Sequence, residues 1–514
     1  MVWSAETSNG NEAAKIRWEL VRYTRGRGLD LGCGPYKAFP HYIGVDNGDH
    51  ESFGWRIKPD IFVETCEKLD AFASQSMDFV FSSHLLEHLT DYKAALKEWW
   101  RVIKPHGHLC LYLPHKGFYP NIGQPGANPT HVHDFYPSDI VAAMKEVAKG
   151  WKLVERQERN EGDEYSMFLV FKRTGGEKCV EVLETDKPRK TAAVIRYGAF
   201  GDLMQASSVF AGLKEQGYHV TLYGTKPGSD VVENDPNIDE IILQDKDQVP
   251  NGDLVEFWSY LEKKYDKFVN LSESVEGTWL AMPGRTAHRW PKQLRHQLLN
   301  YNYLQFQHEL AGVPHKPKVK FYPTSDEREW AKKQRNKMGD FVIVWSLAGS
   351  AVHKTNATLD PFMARVLLSY PNASIVLVGG PECAMLEAGW ENEPRVVKTC
   401  GKWGIRQSLA FLDQADLIIG PETGVLNAAC CMLVPKIVFL SHSSVENLTR
   451  DWINTVSLEP RNTECYPCHT LHFGWTHCHQ DKETGTAICQ ASITVDDVWF
   501  EAKDIIDCKL KGAA

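Results

Sequence analysis

The sequence predicts an α/β protein built of three successive segments, each an open and mostly parallel sheet with helices between its strands. Three observations carry this. Short apolar runs alternate with stretches of helical periodicity along nearly the whole chain. Tight glycine turns follow the first strand of two segments, at Gly32–Gly34 and at Gly198–Gly201. A charged stretch with a Gly-Gly pair, "KRTGGEKCVEVLETDKPRK" at Lys172–Lys190, interrupts the pattern before it restarts. A chain of 514 residues has room for about three domains.

In the first segment a helix is expected over Glu12–Tyr23, then strands at Gly28–Leu31, His41–Val45 and Met77–Ser82. Apolar residues at helical spacing over Thr90–Val102 precede a strand at His108–Leu113. Trp151–Arg156 and Ser166–Lys172 read as a hairpin-like sheet edge. The second segment has strands at Ala192–Arg196, His219–Tyr223, Glu240–Leu243 and Lys267–Leu271, with a helix over Leu203–Lys214. The third restarts at Asp340, with strands Phe341–Trp345, Ser374–Val378, Leu417–Ile419 and Lys436–Phe439. The expected domains are therefore 1–173, a linker 174–190, a lobe 191–335 and a second lobe 336–514.

Composition narrows the function. Apolar residues make up 43% and charged residues 24%, ordinary values for a globular chain with sizeable cores. The net charge of −9 argues against a generic polyanion binder, though not against a local basic groove. No apolar run approaches the roughly 20 residues of a membrane span. The start, "MVWSAETSNGNEAAK", lacks a basic end and an apolar stretch, so a cytoplasmic location is expected. The 13 cysteines are scattered except near the C-terminus, which does not imply a secreted disulfide framework.

In "GLDLGCGP" the strand ends at Leu31, and Gly32 and Gly34 let the backbone turn tightly beside a ligand. Asp46, in "YIGVDNG", ends the next strand, where a carboxylate can accept both ribose hydroxyls of a nucleoside. The turn is too short for a dinucleotide fingerprint and places no cation for a pyrophosphate. These residues, with "MDFVFSSHLLEHLTDYKAALKEWWRVIKPHGHLCLYLPH" at 77–115, resemble the class I S-adenosylmethionine-dependent methyltransferases of the small-molecule, type 11-like kind. The resemblance implies a Rossmann-like domain, with Asp30, Gly32 and Gly34 at the methionine end of the cofactor and Asp46 at its ribose. Glu64 and Glu67 straddle the adenine-side position, where Thr65 stands. Ser83, His84, Glu87 and His88 fall at the rim where an acceptor would sit, with His115, His131 and His133 as further polar candidates. His84 is the expected base for the acceptor proton. One-residue spacing makes His131, His133 and Asp134 a poor ligand set, and no metal is assigned.

The second turn differs. In "VIRYGAFGDLMQASSVFAGLKEQG", Asp202 stands right after Gly201, at a helix start that favours an anion. In "WSLAGSAVHKT", small residues after a strand followed by Lys354 suit a diphosphate, which needs amides and a point charge. In "ADLIIGPETGVLNAACCMLVPKIVFL" a strand meets Glu422-Thr423-Gly424, whose amides can face an anion. Together these resemble the heptosyltransferase-type family 9 glycosyltransferases, over roughly 191–495. The resemblance implies a two-lobed GT-B fold, Asp202 as general base, Lys354 on the donor's diphosphate, and Thr423 and Gly424 in the phosphate turn. Glu422 replaces the usual aspartate and Asn427 a common histidine. A nucleotide-diphosphate sugar is the implied donor, an ADP-sugar first.

Arg285, Arg289, Lys292 and Arg295 lie in a basic, aromatic stretch and could face an anionic acceptor or form a solvated face. Cys465, Cys468, Cys478 and Cys489 could hold a structural zinc, pair as disulfides, or remain thiols. The sequence thus points to a glycosyltransferase fused to a methyltransferase, acting on a hydroxyl-bearing glycan or glycolipid. Two other readings stand: nucleic-acid bases as acceptor, or a first domain that only docks the acceptor.

Overall fold

A computed structural model describes residues 11–50, 55–56, 58–181, 190–272 and 280–511. The chain divides into two compact units, one of residues 1–188 with 243–264, the other of 189–242 with 265–514. It is a mixed α/β protein whose main sheets are mostly parallel. Both lobes expected of 191–514 fall largely in the second unit.

The first unit holds an eight-stranded sheet: β1 (Gly28–Leu31), β2 (Ile43–Asp46), β3 (Ile61–Phe62), β4 (Met77–Ser83), β5 (Ile103–Pro114), β6 (Trp151–Arg159), β7 (Ser166–Arg173) and β8 (Val180–Glu181). Their order across the sheet is β8-β6-β7-β5-β4-β1-β2-β3. From β3 to β5 the strands are parallel, with Leu31 opposite Val45 and Ser82. β7 runs antiparallel to β5 and β6, which form the expected hairpin pair with it in the case of β6. The strand order reverses between β1 and β4, so the loops after these two strands open on the crevice where such sheets take ligands.

The Tyr92–Val102 helix shows why the pattern was readable. It buries Ala95, Leu96, Trp99, Trp100 and Val102 on one face, and Asp91 caps its start by accepting the Ala94 N–H at 2.9 Å. Trp99 is fully buried and satisfies its ring N–H on the Cys66 carbonyl at 2.8 Å. The first part of the expected linker, to Glu181, adds strand β8, and residues 182–189 lie outside the described residues. The Leu243–Lys264 segment joins this unit through Gln248, which donates to the Val21 carbonyl at 2.8 Å, and the half-buried Arg17–Asp253 pair.

The second unit has two sheets. In one, β9 (Thr191–Arg196), β10 (His219–Thr225), β11 (Glu240–Gln244) and β12 (Lys267–Asn270) take the order β11-β10-β9-β12. In the other, β13 (Phe341–Ser346), β14 (Ala373–Val378), β15 (Val396–Lys398), β16 (Leu417–Pro421), β17 (Lys436–Phe439) and β18 (Thr455–Leu458) take the order β15-β14-β13-β16-β17-β18. The order reverses beside β9 in the first and between β13 and β16 in the second. The three loops singled out by sequence, after β9, β13 and β16, all leave strands at those reversals.

One expected helix is broken. Leu203–Lys214 is observed as Phe200–Ser207 and Phe210–Glu215. Ser207 returns its hydroxyl to the Met204 carbonyl at 2.6 Å, and Ser208 accepts the Lys318 N–H at 3.0 Å. Such side-chain bonds compete with the helical ladder. The helix also starts earlier than expected, so Asp202 sits inside its first turn rather than before it. Among the described residues, no helix is long and apolar enough to cross a membrane.

Candidate active sites

At the end of β1 the backbone passes through the left-handed region at Gly32 (φ 67°) and Gly34 (φ 53°), which a side chain would strain. The Leu85 side chain lies 2.9 Å from where a Cβ on Gly32 would stand. Asp46, buried at the end of β2, accepts the Gly34 N–H at 3.0 Å and the Gly48 N–H at 2.9 Å. A carboxylate accepts about four hydrogen bonds, so main-chain amides and ribose hydroxyls can share it. Asp30 is buried and accepts the Ala38 N–H at 2.9 Å. Burial pushes its carboxyl up to about 7, against the opposing pull of that amide and of Lys37. A cationic ligand alongside would restore its charge. The four residues expected to line a methyl-donor site are thus brought to one strand reversal, and their chemistry fits a nucleoside that carries a positive charge. Glu67, one of the two acids flanking Thr65, accepts the Asp91 N–H at 2.9 Å.

His84 follows β4 with a left-handed backbone (φ 49°) and a largely buried ring. Its Nε2 lies 2.9 Å from the Ser166 hydroxyl. Burial and the nearby Lys15 hold it down to about 3, so as a proton acceptor it would be weak. Glu87, fully buried, is pushed up to about 8 by burial. His115 accepts the Gly117 N–H at its Nδ1 (3.1 Å) and stacks on Phe118, while His133 Nε2 lies 3.2 Å from the Thr90 carbonyl oxygen.

In the second unit, Asp202 has two anchors. Its Oδ2 accepts the Ala199 N–H at 3.0 Å, the capping arrangement, and its Oδ1 lies 3.2 Å from Nη2 of the buried Arg196. About a third of the Asp202 side chain remains exposed (29%). The helix that carries it packs directly on the third loop. A Cβ on Gly201 would stand 2.6 Å from the Gly424 Cα, and one on Gly424 would stand 2.5 Å from the Phe200 ring. At Gly201 a side chain would meet main chain, and at Gly424 it would meet the Phe200 ring, so both positions leave room only for glycine as packed.

Lys354 is half-buried, and its aliphatic chain covers Gly349 beside Thr423. Burial lowers its pKa, while Glu422 and Asp202 both act to raise it, so the ammonium is in electrostatic reach of the two carboxylates. Thr423 starts the Gly424–Ala429 helix and shares a hydroxyl hydrogen bond with Ser346 at 2.9 Å. The structure therefore gathers Asp202, Lys354, Glu422, Thr423 and Gly424.

Glu422 is buried, and its Oε1 accepts the Ser441 N–H and the Ser443 N–H (3.3 Å) while its Oε2 meets His442 Nδ1. Burial raises its pKa, but His442, Lys354 and the Ser441 amide outweigh this and bring it down to about 2. It is a fixed anion that ties the Ser441–Ser443 loop beneath Lys354. Sequence reasoning missed Arg196 and His442. A cation ending the apolar run Ala192–Ile195 was a usable signal for the first, and nothing local marks the second.

Two other expectations take a definite shape. Arg295 donates to the carbonyls of Cys468 (3.1 Å) and Trp290 (2.8 Å), and Lys292 donates to the Glu464 carbonyl. These cations tether the cysteine-rich segment rather than present a groove. All 13 cysteines are free. Cys465, Cys468, Cys478 and Cys489 line a cavity of ≈ 210 Å³ together with His472 and His477, with Cys468 Sγ 3.9 Å from His472 Nε2. A zinc there is not shown. Among the described residues, the group of histidine, cysteine and acidic side chains close enough to share an ion is Glu87, His88 and His131.

Comparison with known proteins agrees with the first unit's chemistry. Residues 29–111 match the family model of a methyltransferase domain. No curated protein sequence matches the chain. Among solved structures, the chain is similar to a glycosyl transferase family 9 protein from Veillonella parvula, at 16% identity and a TM-score of 0.46, over 63% of this chain and 99% of that one. It is similar to the E. coli ADP-heptose lps heptosyltransferase II at 13% identity and a TM-score of 0.44, over 63% and 100%. It is also similar to the Bacillus subtilis YcgJ protein at 16% identity and a TM-score of 0.24, over 32% and 99%.

Proposed function

We propose that the chain is a bifunctional transferase, moving a glycosyl group from a nucleotide-diphosphate sugar to a hydroxyl acceptor and a methyl group from S-adenosylmethionine. The observation that carries the glycosyl half is the packing of the Asp202 helix start on Gly424, with Lys354 in electrostatic reach of Asp202 and Glu422. Glycosyl transfer builds positive character at the anomeric carbon and negative charge on the departing diphosphate. Lys354, with the Thr423 hydroxyl and Gly424, would offset that negative charge without requiring a metal. Asp202 would take the proton of the attacking hydroxyl, and Arg196 would anchor its carboxylate for that task. A base facing the donor opposite its leaving group gives inversion. Glu422 would act through the Ser441–Ser443 loop it holds. An ADP-sugar is the donor that the family 9 resemblance implies.

For the methyl half, the family match and the Asp30–Asp46 cluster are the support. S-adenosylmethionine supplies an electrophilic methyl group when bound. Asp46 would hold the ribose, Gly32 and Gly34 would let the main chain approach, and Asp30 would balance the ligand's charge. The commitment of Glu67 to Asp91 favours one second reading, in which this unit docks the acceptor without methylating it.

The test is a donor panel on the full chain, scoring thermal shift and hydrolysis with ADP-, GDP- and UDP-sugars, with S-adenosylmethionine binding measured alongside. The proposal expects stabilisation by one sugar nucleotide and independently by S-adenosylmethionine. Binding of neither would overturn it.

A further inference from the structure

The loop after β4 and the loop after β5 bring Glu87, His88 and His131 close enough to share one ion, with His84 beside the carboxyl. Glu87 Oε1 lies 3.8 Å from His84 Nδ1, 3.9 Å from His88 Nε2 and 3.8 Å from His131 Nε2. Both Glu87 oxygens are buried and have no hydrogen-bond partner among the described residues, although the side chain is fully enclosed. Leaving a buried carboxyl unbonded is costly, roughly 1–3 kcal/mol or more. Something is expected to complete it.

The surrounding hydrogen bonds set the rings for coordination. His88 Nδ1 lies 3.2 Å from the Thr130 carbonyl oxygen, which can only accept. It also lies 3.0 Å from the Thr130 hydroxyl, whose own proton goes to Asn128 at 2.8 Å. Nδ1 therefore carries the proton, and Nε2 turns its lone pair toward Glu87. His84 presents Nδ1 to Glu87 while its Nε2 is held on Ser166. Fixing a ligand ring by its other nitrogen is the usual outer-shell device of metal sites. The His131 loop is clamped as well, since the N–H groups of Val132 and His133 both donate to the Glu87 carbonyl. Donors of a tetrahedral ion at about 2.1 Å would stand roughly 3.4 Å apart. The Glu87–His88 and Glu87–His131 distances of 3.9 and 3.8 Å need a contraction of about half an ångström, and the three donor atoms all lie within 4.8 Å of one another.

We propose that Glu87, His88 and His131 form a binding site for one divalent transition cation of the zinc, cobalt or manganese kind, with a fourth position left open. Two imidazoles and one carboxylate suit such ions over magnesium or calcium. The site does not depend on the function proposed above. Leu85, two residues before Glu87, is the residue that covers Gly32, which puts the ion at the rim of the glycine turn. An ion there would acidify a coordinated acceptor hydroxyl.

The test uses the full-length chain stripped with a chelator and titrated with Co2+, followed by visible spectroscopy and calorimetry. The expected result is one bound ion whose spectrum lacks the thiolate-to-cobalt charge-transfer band that the cysteine-rich segment would give. Glu87→Gln and His131→Ala should each weaken that site at least about tenfold, whereas Cys465→Ser/Cys468→Ser should leave it intact. Absence of a thiolate-free ion in the unmutated chain would overturn the proposal, whether or not the variants fold. So would unchanged thiolate-free binding in folded Glu87→Gln and His131→Ala.

Discussion

Replacing Glu422 with Gln tests the electrostatics beneath Lys354. The carboxylate accepts amides from Ser441 and Ser443 and meets His442, and together with Lys354 these bring its pKa to about 2 from an ordinary 4.5. A difference of about 2.5 pH units corresponds to about 3 kcal/mol of folding stability at neutral pH. The sign follows from the depressed value: the contribution is complete above the unfolded pKa and is lost as pH falls through the folded one. At pH 3 about half should remain. Gln keeps the shape and an acceptor oxygen but not the charge. Thermal unfolding of both proteins between pH 7 and pH 3 would read this directly. The gap in Tm between wild type and Glu422→Gln should narrow as pH falls below the ordinary carboxylate value of 4.5, toward the depressed value of about 2. A gap that fails to narrow between pH 4.5 and pH 3 would refute the reasoning.

Three further outcomes are expected. Gly201→Ala would drive a methyl group into the Gly424 main chain, 2.6 Å away; overpacking there should cost about 1–3 kcal/mol and lower glycosyl transfer, as read by thermal melts and initial rates. Arg196→Met should lower the glycosyl-transfer rate with donor affinity unchanged, as read by initial rates and donor titration, because it removes the buried cation that anchors the Asp202 carboxylate. Asp46→Ala should weaken S-adenosylmethionine binding about tenfold or more with the circular dichroism unchanged, since charged hydrogen bonds to ribose are each worth about 1.5–3 kcal/mol.

Much of the sheet framework was legible because buried parallel strands read as continuous apolar runs bounded by glycine. Gly28–Leu31, Met77–Ser83, Thr191–Arg196 and Phe341–Ser346 are of this kind. The turn residues were legible for the same reason: a glycine after an apolar run, with an acid next to it, leaves few conformations. Periodicity could not reveal the break at Ser208, where two hydroxyls redirect the backbone. Nor could local spacing reveal the Glu422–His442 pair, which joins residues twenty apart through adjacent parallel strands. The Glu87–His88–His131 cluster was half visible, as "EH" after a strand. Its third member arrives on an irregular loop whose course is set by backbone bonds to Glu87, and sequence pattern does not encode those.

The most direct measurement is glycosyl transfer by Asp202→Asn, with donor affinity measured on the same protein. The account predicts a fall in kcat of at least about 100-fold with donor binding unchanged, because the base is lost and the diphosphate grip at Lys354 and Thr423 remains. Full turnover in the variant would contradict it.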